Sequence, residues 1–213
     1  MKKNIVLFVL FILPIVAYLF FASGVNSFTK LPTITPKVAE FGNWKSLRGD
    51  AVRLDGKITV LGFSGTNLLA NRGNLFNLNQ KIYQRYHTFK DLQFVMLCPI
   101  GTEKDAQAVL DALKAFTDVK QWNFVFATTN EIAAFHKQLN LKTALDSKFG
   151  TPNVYVLDKE RNLRGRKDKE EYKEGYDTFH PAELSNKMLD DFKILLYEYK
   201  AALKKNHNAT KQL

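Results

Sequence analysis

The sequence predicts an α/β domain, a central mixed sheet with helices packed on both faces. Three observations predict it. Short apolar runs rich in β-formers alternate with stretches whose apolar residues recur every three or four positions. The order is strand, helix, strand, helix, strand, helix, strand, strand, helix, and such alternation covers one sheet on both sides. The clearest unit is Gly56 to Tyr86. Ile58, Val60, Leu61 and Phe63 suit a central strand, and Leu75, Leu78, Ile82 and Tyr86 share one helix face. Composition agrees: 213 residues, 46% hydrophobic and 13% aromatic, suit one domain with a real core.

The chain opens on Lys2 and Lys3, and no charge follows until Lys30. Ile5 to Val25 is almost wholly apolar and as a helix would span about 31 Å, the thickness of a bilayer's hydrocarbon core. Residues 1–28 are therefore expected to form a single-pass membrane anchor, in which Pro14 is tolerated. Ala22-Ser23-Gly24 also fits a cleavage site, so a cleaved signal peptide is the alternative. Lys2 and Lys3 would stay in the cytoplasm, placing the soluble domain on the non-cytoplasmic side. Residues 29–40, including Pro32 and Pro36, read as an extended tether. Residues 41–204 are the domain and 205–213 a frayed polar tail. The net charge of +10 suits a basic surface facing anionic headgroups. No nucleic-acid motif is present, and no nucleic-acid partner is expected.

Phe41 to Asp55 reads as irregular or as a hairpin, ending in the Asp55-Gly56 turn. After the first strand–loop–helix unit, Leu92 to Cys98 is a second buried strand. Thr102 is placed to cap the next helix, with Asp105 three residues on. Ala106, Val109, Leu110, Leu113 and Phe116 are its apolar face. Trp122 to Phe126 is a third strand, and Glu131 to Leu139 a short helix capped by Thr129 or Asn130. Asn153 to Leu157 is a fourth strand, and Leu163 to Arg166 an edge strand blunted by charge. Lys167 to Tyr176 reads as a solvated charged loop. Pro181 starts the last helix, whose face runs through Leu184, Met188, Phe192, Leu195, Leu196, Tyr199 and Leu203.

In an open α/β sheet, chemistry favours the loop leaving the carboxyl end of a central strand. Here that loop is Ser64 to Arg72, and it holds no Cys, His, Asp or Glu. The single cysteine, Cys98, excludes an intramolecular disulfide and any two-cysteine redox or metal site within one chain. It ends a strand, where a free cysteine usually serves as a small buried hydrophobe. His87, His136, His180 and His207 include no pair at metal-ligand spacing, and His136 is expected to be exposed. Asn67, Asn71, Asn74, Asn77 and Asn79 cluster in the loop and the helix after it. They read as a polar loop with a solvated helix face, or as an amide-lined binding surface.

Several segments, spread from about Leu31 to Tyr199, resemble the Sco/SenC family of thioredoxin-fold copper chaperones of cytochrome c oxidase assembly. Trp122 to Ile132 is similar to the family's tryptophan strand and following helix start. Phe94 to Asp105 is similar to its second strand and helix cap, and Tyr155 to Gly165 to its late hairpin. The closing match runs from Tyr176-Asp177-Thr178 to Leu195–Tyr199. The resemblance implies a thioredoxin-like fold. It also implies two copper-binding cysteines in the loop after the first strand and a histidine before the late strand. At the corresponding positions this chain has Asn67, Asn71 and Gly150. Cu(I) prefers soft thiolates, so copper binding and thiol exchange are not expected from these residues. Thr151-Pro152 is similar to the cis-proline step of thioredoxin-like proteins, and a cis bond is expected there.

The expectation is a membrane-anchored, Sco-like protein with no metal, cofactor or redox site, which works by binding a protein partner linked to the respiratory oxidase. One alternative is a copper chaperone with unorthodox ligands, as a dimer sharing Cys98. The other is a thiol oxidoreductase using Cys98 alone.

Overall fold

The computed structural model describes residues 8, 10–16, 30–168 and 171–210. The chain divides into two units, Met1–Lys30 and Leu31–Leu213. In the first, residues 8 and 10–16 are helical; the rest of the expected anchor, Ile5 to Val25, lies outside the described residues. Among those described, no helix is long and apolar enough to cross a membrane.

The second unit is built on a mixed sheet. Its strands are β1 (Thr33–Thr35), β2 (Lys45–Ser46), β3 (Ile58–Ser64), β4 (Leu92–Pro99), β5 (Trp122–Ala127), β6 (Gly150–Leu157), β7 (Leu163–Arg164) and β10 (Tyr176–Asp177). Their spatial order is β1-β7-β6-β3-β4-β5-β2, with β10 also paired to β6. β3, β4 and β5 are parallel. β6 runs antiparallel to β3, and β2 antiparallel to β5. A separate ribbon, β8 (Arg166–Asp168) with β9 (Glu171–Lys173), replaces the charged loop expected there.

β3 and β4 are buried on both faces, which is why they read as unbroken apolar runs. Ile58 and Val60 point into one core layer, and Leu61 and Phe63 into the other. The first layer is covered by three helices. α1 comprises Arg72–Leu78, a π-helical turn Asn79–Tyr83, and Gln84–Tyr86. α2 is Glu103–Lys114. α4 comprises Pro181–Glu183, a π-helical turn Leu184–Met188, and Leu189–Thr210, so helix continues into the expected tail. The second layer is covered by α3, Thr129–Gln138, and by the segment around Val38, Phe41 and Leu54.

Several local expectations change. Leu31 to Pro36 is no tether: β1 pairs with β7, and Leu31 is buried. Arg164 is therefore interior rather than at an edge. The π-helical turn in α1 rotates the helix so that Tyr83, fully buried, joins Leu75, Leu78 and Ile82, while Tyr86 is only partly buried against Phe192. Thr102 starts α2 without a side-chain cap, because its hydroxyl donates to the Pro99 carbonyl instead. Phe116, expected on the apolar face, is 63% exposed. α3 does carry a capping box, formed by Thr128 with Glu131, earlier than the expected caps.

Candidate functional site

The parallel strands β3 and β4 end together, and the loop from Ser64 to Arg72 leaves at that end. Gly65 makes its first turn with φ +63°, a left-handed conformation that favours glycine. Thr66 N–H then donates to the Lys148 carbonyl at 2.9 Å, tying the loop to the chain before β6. Leu68 is buried and anchors the loop, whereas Leu69 is exposed. Asn71 N–H donates to the Asn67 carbonyl, so the two amides sit one turn apart. Asn71 occupies the start of α1 without capping it through its side chain.

β6 supplies the opposite wall. Between its pairings with Gly62 and Ser64 the register shifts, leaving Thr151, Pro152 and Asn153 in a bulge. A bulge is one of the few strand positions where a residue lacking N–H is tolerated. The expected cis bond is absent: Thr151–Pro152 is trans, as are all described peptide bonds. The bulge, rather than a cis turn, presents the exposed Pro152. β10 closes the site. Thr178 donates to the Pro152 carbonyl from both its N–H (3.0 Å) and its hydroxyl (2.6 Å). Asn77 donates its amide to the Thr178 carbonyl.

The result is a small cavity of about 30 Å³ lined by Ser64, Asn71, Asn74, Thr151, Pro152 and Thr178. The structure thus brings Asn71 and Pro152 together. Asn67 stands beside the cavity rather than in its lining. Gly150 faces backbone: a Cβ there would lie 3.3 Å from the Ser64 carbonyl oxygen. Asn79 is not part of a binding surface. It is buried, accepting from the Trp122 indole at 3.3 Å and donating to Thr117 at 3.4 Å. Ser64 and Thr178 were not singled out from the sequence. Thr178 arrives from a distant segment by strand pairing, which no local spacing reports.

Cys98 is fully buried in β4, its thiol donating to the Met96 carbonyl at 3.5 Å. Burial pushes the thiol up to about 12, and the neighbouring Ser64 hydroxyl pulls weakly the other way. There it packs among the apolar residues of the first core layer as a small neutral hydrophobe. His136 is not exposed as expected: it packs edge-on against Phe63, and burial lowers its pKa. His87 and His180 bond locally, to the Gln84 carbonyl and the Asp177 carboxylate, and the His207 side chain lies outside the described residues. Among the described residues no three His, Cys, Asp or Glu gather as a metal site. Besides amides and hydroxyls, the cavity is lined by Phe63, Leu68, Leu75 and Val154 and by the Met96 thioether, which offers Cu(I) a single soft sulfur and no thiolate or imidazole beside it.

Gly65 sets the shape of this loop. A Cβ there would lie 2.6 Å from the Lys148 carbonyl oxygen and 2.8 Å from the Gly150 nitrogen, at positive φ. Gly65→Ala is expected to cost at least about 2 kcal/mol, read as a lowered urea midpoint. An unchanged midpoint would mean the loop is not held against Gly150.

The fold is thioredoxin-like. Searches found no matching protein-family model and no matching curated protein. Solved structures do match. A protein from Aquifex aeolicus VF5, named for a suspected role in electron transfer, is 19% identical with a TM-score of 0.51, over 78% of this chain and 92% of its own. BsSco, a member of the Sco family of cytochrome c oxidase assembly proteins, is 16% identical with a TM-score of 0.49, over 76% of this chain and 92% of its own. A Chlorobium tepidum thiol:disulfide interchange protein is 15% identical with a TM-score of 0.47, over 72% of this chain and 94% of its own. At these identities the likeness speaks for the fold.

Proposed function

We propose that this chain is a membrane-anchored, thioredoxin-like binding protein without redox or metal chemistry, acting in respiratory oxidase assembly. The observation that carries the non-catalytic reading is the state of its single cysteine. A fully buried thiol held protonated can neither exchange disulfides nor reach a metal delivered from outside. The Sco-like sequence features support the oxidase connection, and the apolar run Ile5 to Val25 supports the anchor. The binding face is the end of the sheet that carries chemistry in other proteins of this fold. Asn71, Asn74 and Pro152 line its cavity, and the segments that leave this end carry exposed apolar side chains: Leu69 in the loop after β3, Ile100 just after β4 and Phe179 just after Thr178, which are 40%, 62% and 66% exposed. Exposed apolar side chains around a few polar groups suit recognition of another protein.

The test uses the full-length chain in detergent. Cu(I) titration against a competing chelator is expected to reveal no site tighter than adventitious surface binding. Cys98→Ala is expected to leave cellular oxidase levels unchanged. The double substitution Leu69→Glu with Phe179→Glu is expected to lower them, through a partner affinity weakened by about 30-fold or more. Tight one-to-one Cu(I) binding, or loss of function in Cys98→Ala, would overturn the proposal.

A further inference from the structure

Leu31 opens the sheet domain and is buried, and its N–H donates to the Glu198 carboxylate of α4 at 2.7 Å. One residue on, the Tyr199 hydroxyl accepts from the Lys159 N–H at 2.9 Å, just past β6. β6 ends where β3 begins, with Leu157 beside Thr59. The domain's chain therefore enters, and α4 leaves, toward the end of the sheet where β3, β4 and β5 start, opposite the cavity. Past Lys200 the helix continues to Thr210, and residues 201–213 contain three lysines and no Asp or Glu.

The loops at this end are basic as well. Lys37 is placed there by its N–H, which donates to the Asn162 side chain at 3.0 Å. Arg53 is placed by its carbonyl, which accepts from the Gln93 amide at 2.7 Å, at the start of β4. Arg85 lies in the last turn of α1, and Lys90 two residues before β4. All four are exposed, and among the described residues none of them is in an ion pair. The acids nearby are already engaged. Lys57 and Lys159 share Asp91, Lys120 pairs with Asp118, and Arg161 with Asp55. Glu160 accepts from the Tyr199 hydroxyl, and Glu40 from the Leu54 and Asp55 N–H groups. In these loops and at the end of α1, eight cations stand against five acids.

We propose that this end of the domain rests on the anionic headgroups of a bilayer, with the cavity turned away from the lipid. The inference rests on the anchored reading of Ile5 to Val25. Under that reading only Asn26 to Lys30 separate the apolar run from Leu31, and six Cα steps reach at most about 20 Å. The short link supplies proximity, and charge decides which end faces the lipid. Each cation brought to an anionic surface favours contact about fivefold. The attraction fades beyond about 8 Å at physiological salt, so the end that carries the unpaired cations is the one held down. β3, seven residues long, separates the two ends of the sheet by about 23 Å. Leu69, Ile100 and Phe179, exposed at the far end, are then presented to a partner clear of the headgroups.

The test is hydrogen exchange of the full-length protein in nanodiscs of phosphatidylcholine alone and in nanodiscs that also contain phosphatidylglycerol. Exchange across residues 53–57 and 85–91 is expected to slow about fivefold in the anionic discs, and exchange across residues 64–73 to stay the same. The slowing should vanish in 1 M salt, where the screening length is about 3 Å. It should also vanish in the triple variant Lys37→Glu, Arg53→Glu, Lys90→Glu. Equal exchange in the two lipids, slowing at residues 64–73 instead, or undiminished slowing in the triple variant would overturn the inference alone. Failure of the chain to co-purify with either nanodisc would overturn the anchored reading and this inference with it.

Discussion

Arg164→Ala is expected to destabilise the domain by about 3–5 kcal/mol, as breaking a buried ion pair from one side usually does. The Arg164 side chain is 10% exposed and serves three partners. Nη1 meets Asp158 at 2.9 Å, Nη2 meets Glu198 at 2.7 Å, and both Nε and Nη2 donate to the Leu31 carbonyl. Asp158 is 1% exposed, so removing the guanidinium leaves a buried carboxylate without its ion pair, held only by the Glu160 and Asn162 N–H groups and the Asn162 side-chain amide. Glu198 also accepts from the Leu31 N–H, so one arginine joins β7, α4 and the start of β1. Arg164→Lys keeps the charge but loses the forked geometry, and should recover only part of the loss. Denaturant unfolding measures the difference. A cost below about 1 kcal/mol would show that the pairs are exposed enough to be replaced by water.

Trp122→Ala should cost a similar amount, about 3–5 kcal/mol, for a different reason. Trp122 is 1% exposed at the centre of the first core layer. Its ring lies 5.1 Å from Phe94, 5.6 Å from Tyr83 and 6.2 Å from Phe124. Truncation leaves a cavity among stiff aromatic rings that cannot collapse into it. It also removes the indole donor from Asn79, whose carbonyl is then buried with one fewer partner. At about 2–4 °C per kcal/mol for a domain of this size, calorimetry should show a melting point lowered by roughly 6–20 °C. Trp122→Phe, which fills most of the space, should lose less than half of that. A small loss in the alanine variant would mean that the aromatic cluster repacks.

The central elements were legible because their burial is two-sided or strictly periodic. β3 and β4 need apolar residues at nearly every position, and α2 needs them every third or fourth, so both announce themselves locally. What escaped depends on distance. β1 cannot be told from a tether because its partner is remote: Thr33 pairs with Arg164. Pro-Thr-Ile-Thr-Pro reads as extended in either case. Tyr83 escaped because a π-helical turn shifts the helical period by one residue, and Tyr86 was counted in its place. His136 looked exposed because the helical period records only its own helix. Its cover comes from Phe63 and from the Leu141–Leu145 segment. At the candidate site, Asn71 and Pro152 were found by position in the chain. Thr178 and the trans bulge that presents Pro152 come from pairing between segments, and no local pattern encodes them.

The pairing of β1 also bears on how the molecule behaves in a crowd. A sheet's outer strand offers unpaired N–H and C=O groups to any neighbour, and long bare edges seed aggregation. Here β1 closes one side and is only Thr33–Thr35, with Pro32 before it and Pro36 after it. Neither proline has an N–H to give, so an added strand would find a ladder interrupted at both ends. The opposite side is closed by β2, Lys45–Ser46, shorter still and opening on a lysine. The residues that read as a stiff spacer thus act as guards against sheet-to-sheet self-association.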